Sequence, residues 1–293
     1  MTTVRVAAAQ IDPTLGEVER NLERIGRGVA EAAAAGARLV VLPEAAVTGY
    51  AFASRSEAMP VARHATRVGP QRLLEMAANH GIAIVCGSLE ATGDEIFNVA
   101  HLATPDGQHL VYRKMHLPFL GVDRFVTPGP EPPFVVEVAG LRVGILVCYD
   151  LRFPEAARVC GLEGADLICL PTNWPVGVEF HPDLFAPARA AENHCYLLAA
   201  DRVGTERGVT FMGRSVFVDP DGQRVGAASD TEEELLIGEV DVERARATHV
   251  RRRPGEHEWD TIADRRPGLY ARLGQPGVDR LHPAVPGVAT GED

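Results

Sequence analysis

The sequence predicts an α/β fold of two related halves, in which two sheets pack face to face and helices cover their outer sides. Two strand–helix–strand units support this, one near the N-terminus and one in the middle of the chain. Both units carry the same local pattern, GARLVVLP at residues 36–43 and GADLICLP at residues 164–171. Because the match falls at the same place in each unit, it indicates an internal duplication.

Each unit is recognised by its periodicity. Short apolar runs predict buried strands, and apolar residues three to four positions apart from residue 18 to residue 29 predict a helix. Gly36 ends the first helix, while Pro154 begins the second and Gly164 ends it. The predicted elements are a strand at 4–9, a helix reaching about residue 35, strands at 38–42 and 141–147, a helix at 154–163 and a strand at 166–170.

The rest of the chain predicts further strands separated by turns rich in Gly, Pro and Asp. They lie at 82–89, 97–103, 108–112, 196–201, 211–218 and 235–240, with a helix near 187–193. The basic run at 251–253 predicts a solvated helix face. One domain is expected over residues 1–270, followed by a Gly- and Pro-rich C-terminal tail at 271–293.

Composition excludes several classes of protein. The 293 residues include 29 basic and 40 acidic side chains, a net charge of −11, which disfavours nucleic-acid and anionic-membrane partners. No apolar run approaches the ~20 residues of a membrane span, and no signal peptide is expected. The five cysteines are odd in number and lack C-x-x-C spacing, which argues against a disulfide framework and a cysteine-rich zinc site. We therefore expect a reduced, cytoplasmic protein.

Two reactive side chains lie at the carboxyl ends of predicted strands, where α/β proteins gather their catalytic groups. Glu44 follows the second strand of the first unit, and Cys148 follows the first strand of the second unit. A strand that turns sharply into a helix can raise a nucleophile above the sheet, with backbone N–H groups favouring negative charge. Taken singly, Cys148 is more simply a buried apolar residue and Glu44 a solvated charge.

Three motifs together resemble the carbon–nitrogen hydrolases, the nitrilase superfamily, from residue 4 to about residue 270. They are Leu42-Pro-Glu44 with Thr48-Gly-Tyr50, then Tyr112-Arg-Lys114-Met-His-Leu117, then Cys148-Tyr-Asp-Leu-Arg-Phe-Pro-Glu155. The resemblance implies a four-layer α-β-β-α sandwich and a catalytic triad of Glu44, Lys114 and Cys148. It also implies assembly as a homodimer or a higher homo-oligomer.

The chemistry of such a triad can be argued from its groups. An amide is a poor electrophile, so a thiolate of Cys148 must attack while the carbonyl oxygen is held as it becomes negative. Lys114 as an ammonium would lower the thiol pKa and donate to the oxyanion, with the backbone N–H of Tyr149 as a second donor. Glu44 would act as the general base and proton carrier. No metal and no organic cofactor is required.

One segment departs from the family pattern. Members often carry a further Glu between the Lys and Cys motifs, whereas residues 116–129 contain Asp123 as their single carboxylate. Asp123 either replaces that Glu in catalysis or pairs with Arg124. The substrate pocket is expected to include Tyr149, Asn173, Trp174 and Tyr50, although Trp174 is equally a packing residue before Pro175.

Three functional classes remain at this point. The first is a thiol amidohydrolase that releases ammonia from small carboxamides, and the second is a nitrilase or N-carbamoyl amino acid or amine amidohydrolase using the same triad. The third is a non-catalytic scaffold, which the presence of all three reactive side chains disfavours. The residues after the nucleophile, Tyr149 and Asp150, resemble the amidase branch. A papain-like Cys–His pair stays open, but no histidine is singled out and His116 is expected to pack near Lys114.

Overall fold

The computed structural model describes residues 3–275. By internal contacts the chain divides into a main unit that ends at Ile262 and a small second unit that begins at Ala263. The second unit contains two short 3-10 helices, Pro267–Leu269 and Ala271–Gly274. The predicted boundary at residue 270 stays a prediction, and residues 276–293 of the predicted tail lie outside the described residues.

The main unit contains sixteen strands and five α-helices among its described residues. The strands are β1 (Thr3–Gln10), β2 (Leu39–Val41), β3 (Ala83–Thr92), β4 (Glu95–Ala103), β5 (His109–Arg113), β6 (Val135–Val138), β7 (Leu141–Ile145), β8 (Leu167–Pro171), β9 (Tyr196–Ala200), β10 (Thr205–Glu206), β11 (Val209–Thr210), β12 (Val216–Val218), β13 (Arg224–Ala227), β14 (Glu234–Asp241), β15 (His249–Arg253) and β16 (His257–Asp260). The helices are α1 (Val18–Ala34), α2 (Arg55–His80), α3 (Pro154–Leu162), α4 (Ala186–Asn193) and α5 (Val242–Arg246).

Two six-stranded sheets of the same topology confirm the predicted duplication. Their strand orders are β14-β1-β2-β3-β4-β5 and β6-β7-β8-β9-β12-β13. In each sheet three neighbouring strands are parallel, β1-β2-β3 and β7-β8-β9, and the strands on either side of them are antiparallel. Helices α1 and α3 join the matching pairs β1–β2 and β7–β8.

The two faces of each central strand are both buried, which explains the continuous apolar runs. Val6 and Val41 point into the cluster between the two sheets, together with residues of β7, β8 and β9. Ala7 and Val40 point to the other side, where they pack against α1 and α2. The layers are therefore helix, sheet, sheet and helix, as the sequence predicts.

The largest element that sequence reasoning did not predict is α2. It contains Pro60 and Pro70, which argue against a continuous helix. Its buried positions are mostly small residues at helical spacing, so its apolar stripe is weak in sequence but sufficient for close packing. Those positions are Ala58, Ala62, Ala65, Gly69, Leu73 and Ala77.

Two predicted elements differ from the structure. The strand predicted at 211–218 is confined to β12, because Gly213 and Arg214 adopt left-handed backbone with φ of 62° and 58° and turn the chain. The basic run at 251–253 is not a helix face but part of β15, which pairs with β16 in a two-stranded hairpin. None of the helices in the described part of the chain is long and apolar enough to cross a bilayer.

The buried His101 is expected to make the fold sensitive to acid. Burial lowers the pKa of its imidazole to about 4, whereas a histidine in an unfolded chain titrates near ~6.5. Between these values the unfolded state binds more protons, so the free energy of unfolding falls by ~3 kcal/mol as pH decreases from about 6.5 to about 4. Denaturant titrations of wild type and His101→Gln at both ends of this range measure the effect.

The His101→Gln variant should lose less stability than wild type on acidification. His80 is exposed on α2, so His80→Gln serves as the control and should keep the wild-type dependence. Equal losses in wild type and His101→Gln would contradict the assignment of this acid sensitivity to His101.

Candidate active site

Three separate stretches of chain bring Glu44, Lys114 and Cys148 together. Glu44 follows β2, Lys114 follows β5, and Cys148 begins a 3-10 turn after β7. Glu44 and Lys114 are fully buried, and Cys148 is 8% exposed. The Nζ of Lys114 lies 2.7 Å from Oε1 of Glu44, and the charges of both groups act on the Cys148 thiol.

A second carboxylate completes the surroundings of the lysine. The Nζ of Lys114 also donates to Oδ2 of Asp123 at 2.5 Å. The amide of Asn98 joins the two acids, because its Nδ2 donates to Oε1 of Glu44 at 2.7 Å and to Oδ1 of Asp123 at 2.8 Å. The hydroxyl of Tyr50 donates to Oδ2 of Asp123 at 2.9 Å. The ammonium is thus fixed between two carboxyl groups whose own positions are fixed.

Asp123 was expected either to replace the family's Glu or to pair with Arg124, and in the structure it contacts Lys114. Arg124 instead donates its Nε to the carbonyl of Gly121 at 2.9 Å and its Nη2 to the carbonyl of Phe52 at 3.0 Å. Asp123 is therefore part of the buried cluster, and a direct role in the reaction stays a prediction.

Asn98 is the member of this cluster that sequence reasoning missed. It lies in β4, whose sequence EIFNVAHLA is otherwise mostly apolar, and it is 1% exposed. A buried amide in an apolar strand is costly unless it is hydrogen-bonded. That cost is the signal that could have indicated a polar partner across the sheet.

The turn that carries Cys148 is held by the buried carboxylate of Asp150. Cys148 itself has φ of 45°, the left-handed conformation. Oδ2 of Asp150 accepts from the backbone N–H of Val147 at 3.1 Å and from the Tyr112 hydroxyl at 2.8 Å. Its Oδ1 accepts from the backbone N–H of His116 at 3.1 Å. Asp150 therefore ties the turn at Cys148 to the segment that carries Lys114.

The electrostatics of the site leave the resting sulfur protonated. Burial, and then the charge of Glu44, raises the pKa of the Cys148 thiol well above its ordinary value, and Lys114 lowers it without reversing the direction. The expectation that Lys114 lowers the thiol pKa is confirmed, but burial and the charge of Glu44 outweigh this effect. Burial opposes the charge of Lys114, but Asp123 and Glu44 outweigh it and raise the lysine pKa.

Burial also raises the pKa of Glu44. The Lys114 charge and the hydrogen bonds from Lys114 and Asn98 oppose this shift, while the charge of Asp123 adds to it. A carboxylate with a raised pKa is a stronger base than an ordinary glutamate, which suits it to take a proton from a thiol.

Comparisons with known proteins identify the family. The family model described as carbon-nitrogen hydrolase matches residues 5–250. The chain belongs to the carbon-nitrogen hydrolase family. It is 36% identical over 270 residues to a protein named nitrilase from Pyrococcus abyssi, covering 92% of this chain and all of that protein. It is 31% identical to the 2-oxoglutaramate amidase of Bacillus subtilis, covering 82% of this chain and 92% of that protein.

A solved structure shows the same fold. The amidase from Nesterenkonia sp. superposes with a TM-score of 0.80 at 30% sequence identity, covering 92% of this chain and 96% of that one. The protein is accordingly a hydrolase of non-peptide carbon–nitrogen bonds in the amidase and nitrilase group.

The chain after β8 approaches the sulfur of this carbon-nitrogen hydrolase. The backbone N–H of Asn173 and the hydroxyl of Thr172 both lower the pKa of the Cys148 thiol and so favour its thiolate form. Both polar atoms of the Asn173 side chain are buried and have no hydrogen-bond partner within residues 3–275. The hydroxyl of Thr172 is likewise buried and without a hydrogen-bond partner within these residues, and contact of Asn173 with a substrate stays a prediction.

The other predicted pocket residues occupy different positions. The Tyr50 hydroxyl is engaged with Asp123, so this tyrosine supports the buried cluster. Trp174 is 1% exposed, and its ring stacks on His181 with centroids 5.5 Å apart. Tyr149, directly after Cys148, packs edge-on against Phe153 with ring centroids 5.3 Å apart. Their contact with a substrate stays a prediction.

Within residues 3–275 no group of three or more His, Cys, Asp or Glu side chains is arranged to hold a metal ion. All five cysteines are buried free thiols.

Gly87 lets β3 approach the backbone that carries Glu44. A Cβ at this position would lie 2.4 Å from the carbonyl oxygen of Pro43 and 2.5 Å from Cα of Glu44. We expect Gly87→Ala to displace the Glu44 carboxylate and to lower kcat/KM by about 10²-fold, because small misplacements of a catalytic group are costly. Steady-state kinetics and thermal unfolding of the same preparation measure the effect.

Gly69→Ala is the matched control. Its added methyl would meet only an ordinary contact, 4.0 Å from a methyl carbon of Val47, so activity should not change. Wild-type kinetics in Gly87→Ala would show that this close approach does not position Glu44.

Proposed function

We propose that this hydrolase cleaves small carboxamides to a carboxylate and ammonia through a thioester on Cys148. The observation that carries the proposal is the fully buried Lys114, held between Glu44 and Asp123 with its charge acting on the Cys148 thiol. Solved structures of the Nesterenkonia amidase support it. One describes covalent addition of the acetamide moiety of fluoroacetamide at its active site cysteine, and another describes a cysteine-to-alanine mutant in complex with butyramide.

The first step forms the carbon–sulfur bond. Because the resting sulfur is a thiol, Glu44 accepts its proton as the sulfur attacks the amide carbon. The carbonyl oxygen then becomes negative, and the Lys114 ammonium and the backbone N–H of Tyr149 donate to it. Lys114 cannot replace Glu44 as the base, since two carboxyl groups keep it protonated.

The second step releases ammonia, and the third consumes water. Glu44 passes its proton to the amide nitrogen as the carbon–nitrogen bond breaks, which leaves the thioester on Cys148. Glu44 then takes a proton from water as the water oxygen attacks the thioester carbon. When the carbon–sulfur bond breaks, Glu44 returns its proton to the sulfur, and the carboxylic acid gives its own proton to solvent and leaves as a carboxylate. Tyr149, Asn173, Trp174 and Tyr50 are the proposed surroundings of the substrate.

Nitriles and N-carbamoyl amino acids or amines form the second candidate class. A relative named nitrilase, from Pyrococcus abyssi, is the specific observation in its favour. Thiolate addition to a nitrile gives a thioimidate in the same site, without a further catalytic group. A panel of aliphatic amides, ω-amides, N-carbamoyl compounds and nitriles, scored by ammonia release, separates the classes.

We further propose that the enzyme works in the cytoplasm as a homodimer or higher homo-oligomer, without a metal or an organic cofactor. Its partners would be small amides rather than nucleic acid or membrane. The net charge of −11 and the five buried free thiols support a reduced compartment and disfavour anionic partners.

Removal of the nucleophile should abolish turnover of every substrate in the panel. We expect Cys148→Ala to lose at least ~10³-fold in kcat, as other enzymes do when their nucleophile is removed. Cys195→Ala removes another buried thiol outside the site and should keep activity within a few-fold. Retained turnover in Cys148→Ala would mean that the reaction does not use this sulfur.

The pH dependence of kcat/KM should report Glu44. Protonated Glu44 cannot accept the thiol proton, so activity should be lost on acidification. Because the pKa of Glu44 is raised, this loss should begin at a pH above the usual glutamate pKa of about 4.3. Asp123→Asn removes a negative charge that raises this pKa, so the acid limb should move to lower pH even though kcat falls. An acid limb that does not move would show that Asp123 exerts no charge effect on Glu44.

A further inference from the structure

Another carboxyl group, Asp201, lies buried next to the site and has no part in the proton transfers above. It follows β9 and is fully buried. Its Oδ1 accepts two backbone hydrogen bonds, from the N–H of Trp174 and from the N–H of Arg202, each at 2.9 Å. Its Oδ2 is buried and has no hydrogen-bond partner within residues 3–275.

The neighbouring arginine does not pair with this carboxyl group. The Nη1 of Arg202 donates to Glu206 at 2.9 Å, and its Nη2 donates to Asp12 at 2.7 Å and to the carbonyl of Pro13 at 2.8 Å. Its Nε donates to the carbonyl of Val203 at 3.2 Å. The guanidinium is thus committed to other acceptors, although its charge still acts on Asp201.

Asp201 is itself held rigidly from the opposite sheet. Its backbone N–H donates to Oγ of Ser215 at 2.9 Å. The hydroxyl and the N–H of Ser215 donate to Oε1 of Gln10, the last residue of β1, at 2.9 and 3.0 Å. Gln10 donates in turn to the carbonyls of Ser229 and Glu232. A chain of buried hydrogen bonds therefore fixes where Asp201 stands relative to both sheets.

We propose that Asp201 is a neutral carboxylic acid that positions the segment Thr172–Asn173–Trp174 against the sulfur of Cys148. Its Oδ1 fixes the main chain at Trp174, one residue after the N–H and two after the hydroxyl that favour the thiolate. This inference rests on the proposed role of Cys148 as the nucleophile.

Neutrality follows from the surroundings. A buried carboxylate without a paired cation is strongly disfavoured, whereas a carboxylic acid can use one oxygen as an acceptor and leave its O–H to a substrate or water. Burial raises the pKa of Asp201 well above its ordinary value. The N–H donors of Trp174 and Arg202 and the charge of Arg202 oppose the shift, while the charge of Glu44 adds to it. A neutral Asp201 supports the loop without adding a negative charge near Glu44.

Asp201→Asn tests the neutrality, because it keeps the acceptor oxygen and the size and carries no charge. We expect kcat within about threefold of wild type and an unchanged acid limb of kcat/KM. If Asp201 were ionised, its removal would lower the pKa of Glu44 and move that limb to lower pH, which would overturn the proposal.

Asp201→Ala tests the positioning. The loss of the Oδ1 acceptor should lower kcat about 10- to 100-fold with a smaller change in KM, and it should slow the alkylation of Cys148 by iodoacetamide. Wild-type kcat and alkylation rate in a folded Asp201→Ala protein would overturn the positioning role. If this variant does not fold, the Asp201→Asn kinetics and the infrared measurement described next still test whether Asp201 is neutral.

Infrared spectroscopy reads the protonation state without turnover. The difference spectrum of wild type against Asp201→Asn should show the carbonyl band of a protonated carboxyl group at pH 7, and the absence of this band would overturn the proposal. Asp219→Asn is the control, because Asp219 is buried but paired with Arg244 and should contribute no such band. Turnover retained in Cys148→Ala would refute the proposed function itself, so the two failures are distinguishable.

Discussion

The buried ion cluster around Lys114 is the interaction on which the rest of the site depends. An ammonium removed from water is tolerable only if counter-charges and hydrogen bonds surround it, and here Glu44 and Asp123 provide both. Asn98 and Tyr50 then fix those carboxyl groups. The consequence is a permanent positive charge at a defined point beside the sulfur, with no need for reorganisation when an oxyanion forms.

The duplicated two-sheet fold places the groups of this cluster together in the interior. Glu44, the proposed general base, follows a strand of the first sheet, and Cys148, the proposed nucleophile, follows the corresponding part of the second. Parallel strands direct their carboxyl ends to one edge, so packing the sheets face to face brings the two halves of the chemistry together. Asp150 then joins the turn at Cys148 to the segment of Lys114, which makes the distance between them a property of the fold.

Charge balance in the site also explains why the sulfur rests as a thiol. Burial disfavours an anion at Cys148, and the negative charge of Glu44 disfavours it further. The proposed mechanism therefore needs a base stronger than an ordinary carboxylate, and the raised pKa of Glu44 supports this role. With the neutral Asp201 proposed above, the segment whose N–H and hydroxyl lower the thiol pKa is held in place without a further charge that would oppose the thiolate.

The sequence by itself determined the paired strand–helix–strand units and the three reactive positions, because apolar periodicity and short motifs are local properties of the chain. Only the tertiary structure decided that Asn98 bridges two acids, that Asp123 faces Lys114 rather than Arg124, and that the thiol pKa rises. Those outcomes depend on burial and on partners far apart along the chain. Helix α2 was missed for the same reason. Its buried stripe consists mostly of small residues, which give a weak apolar signal in the sequence and pack closely only against the sheet that they cover.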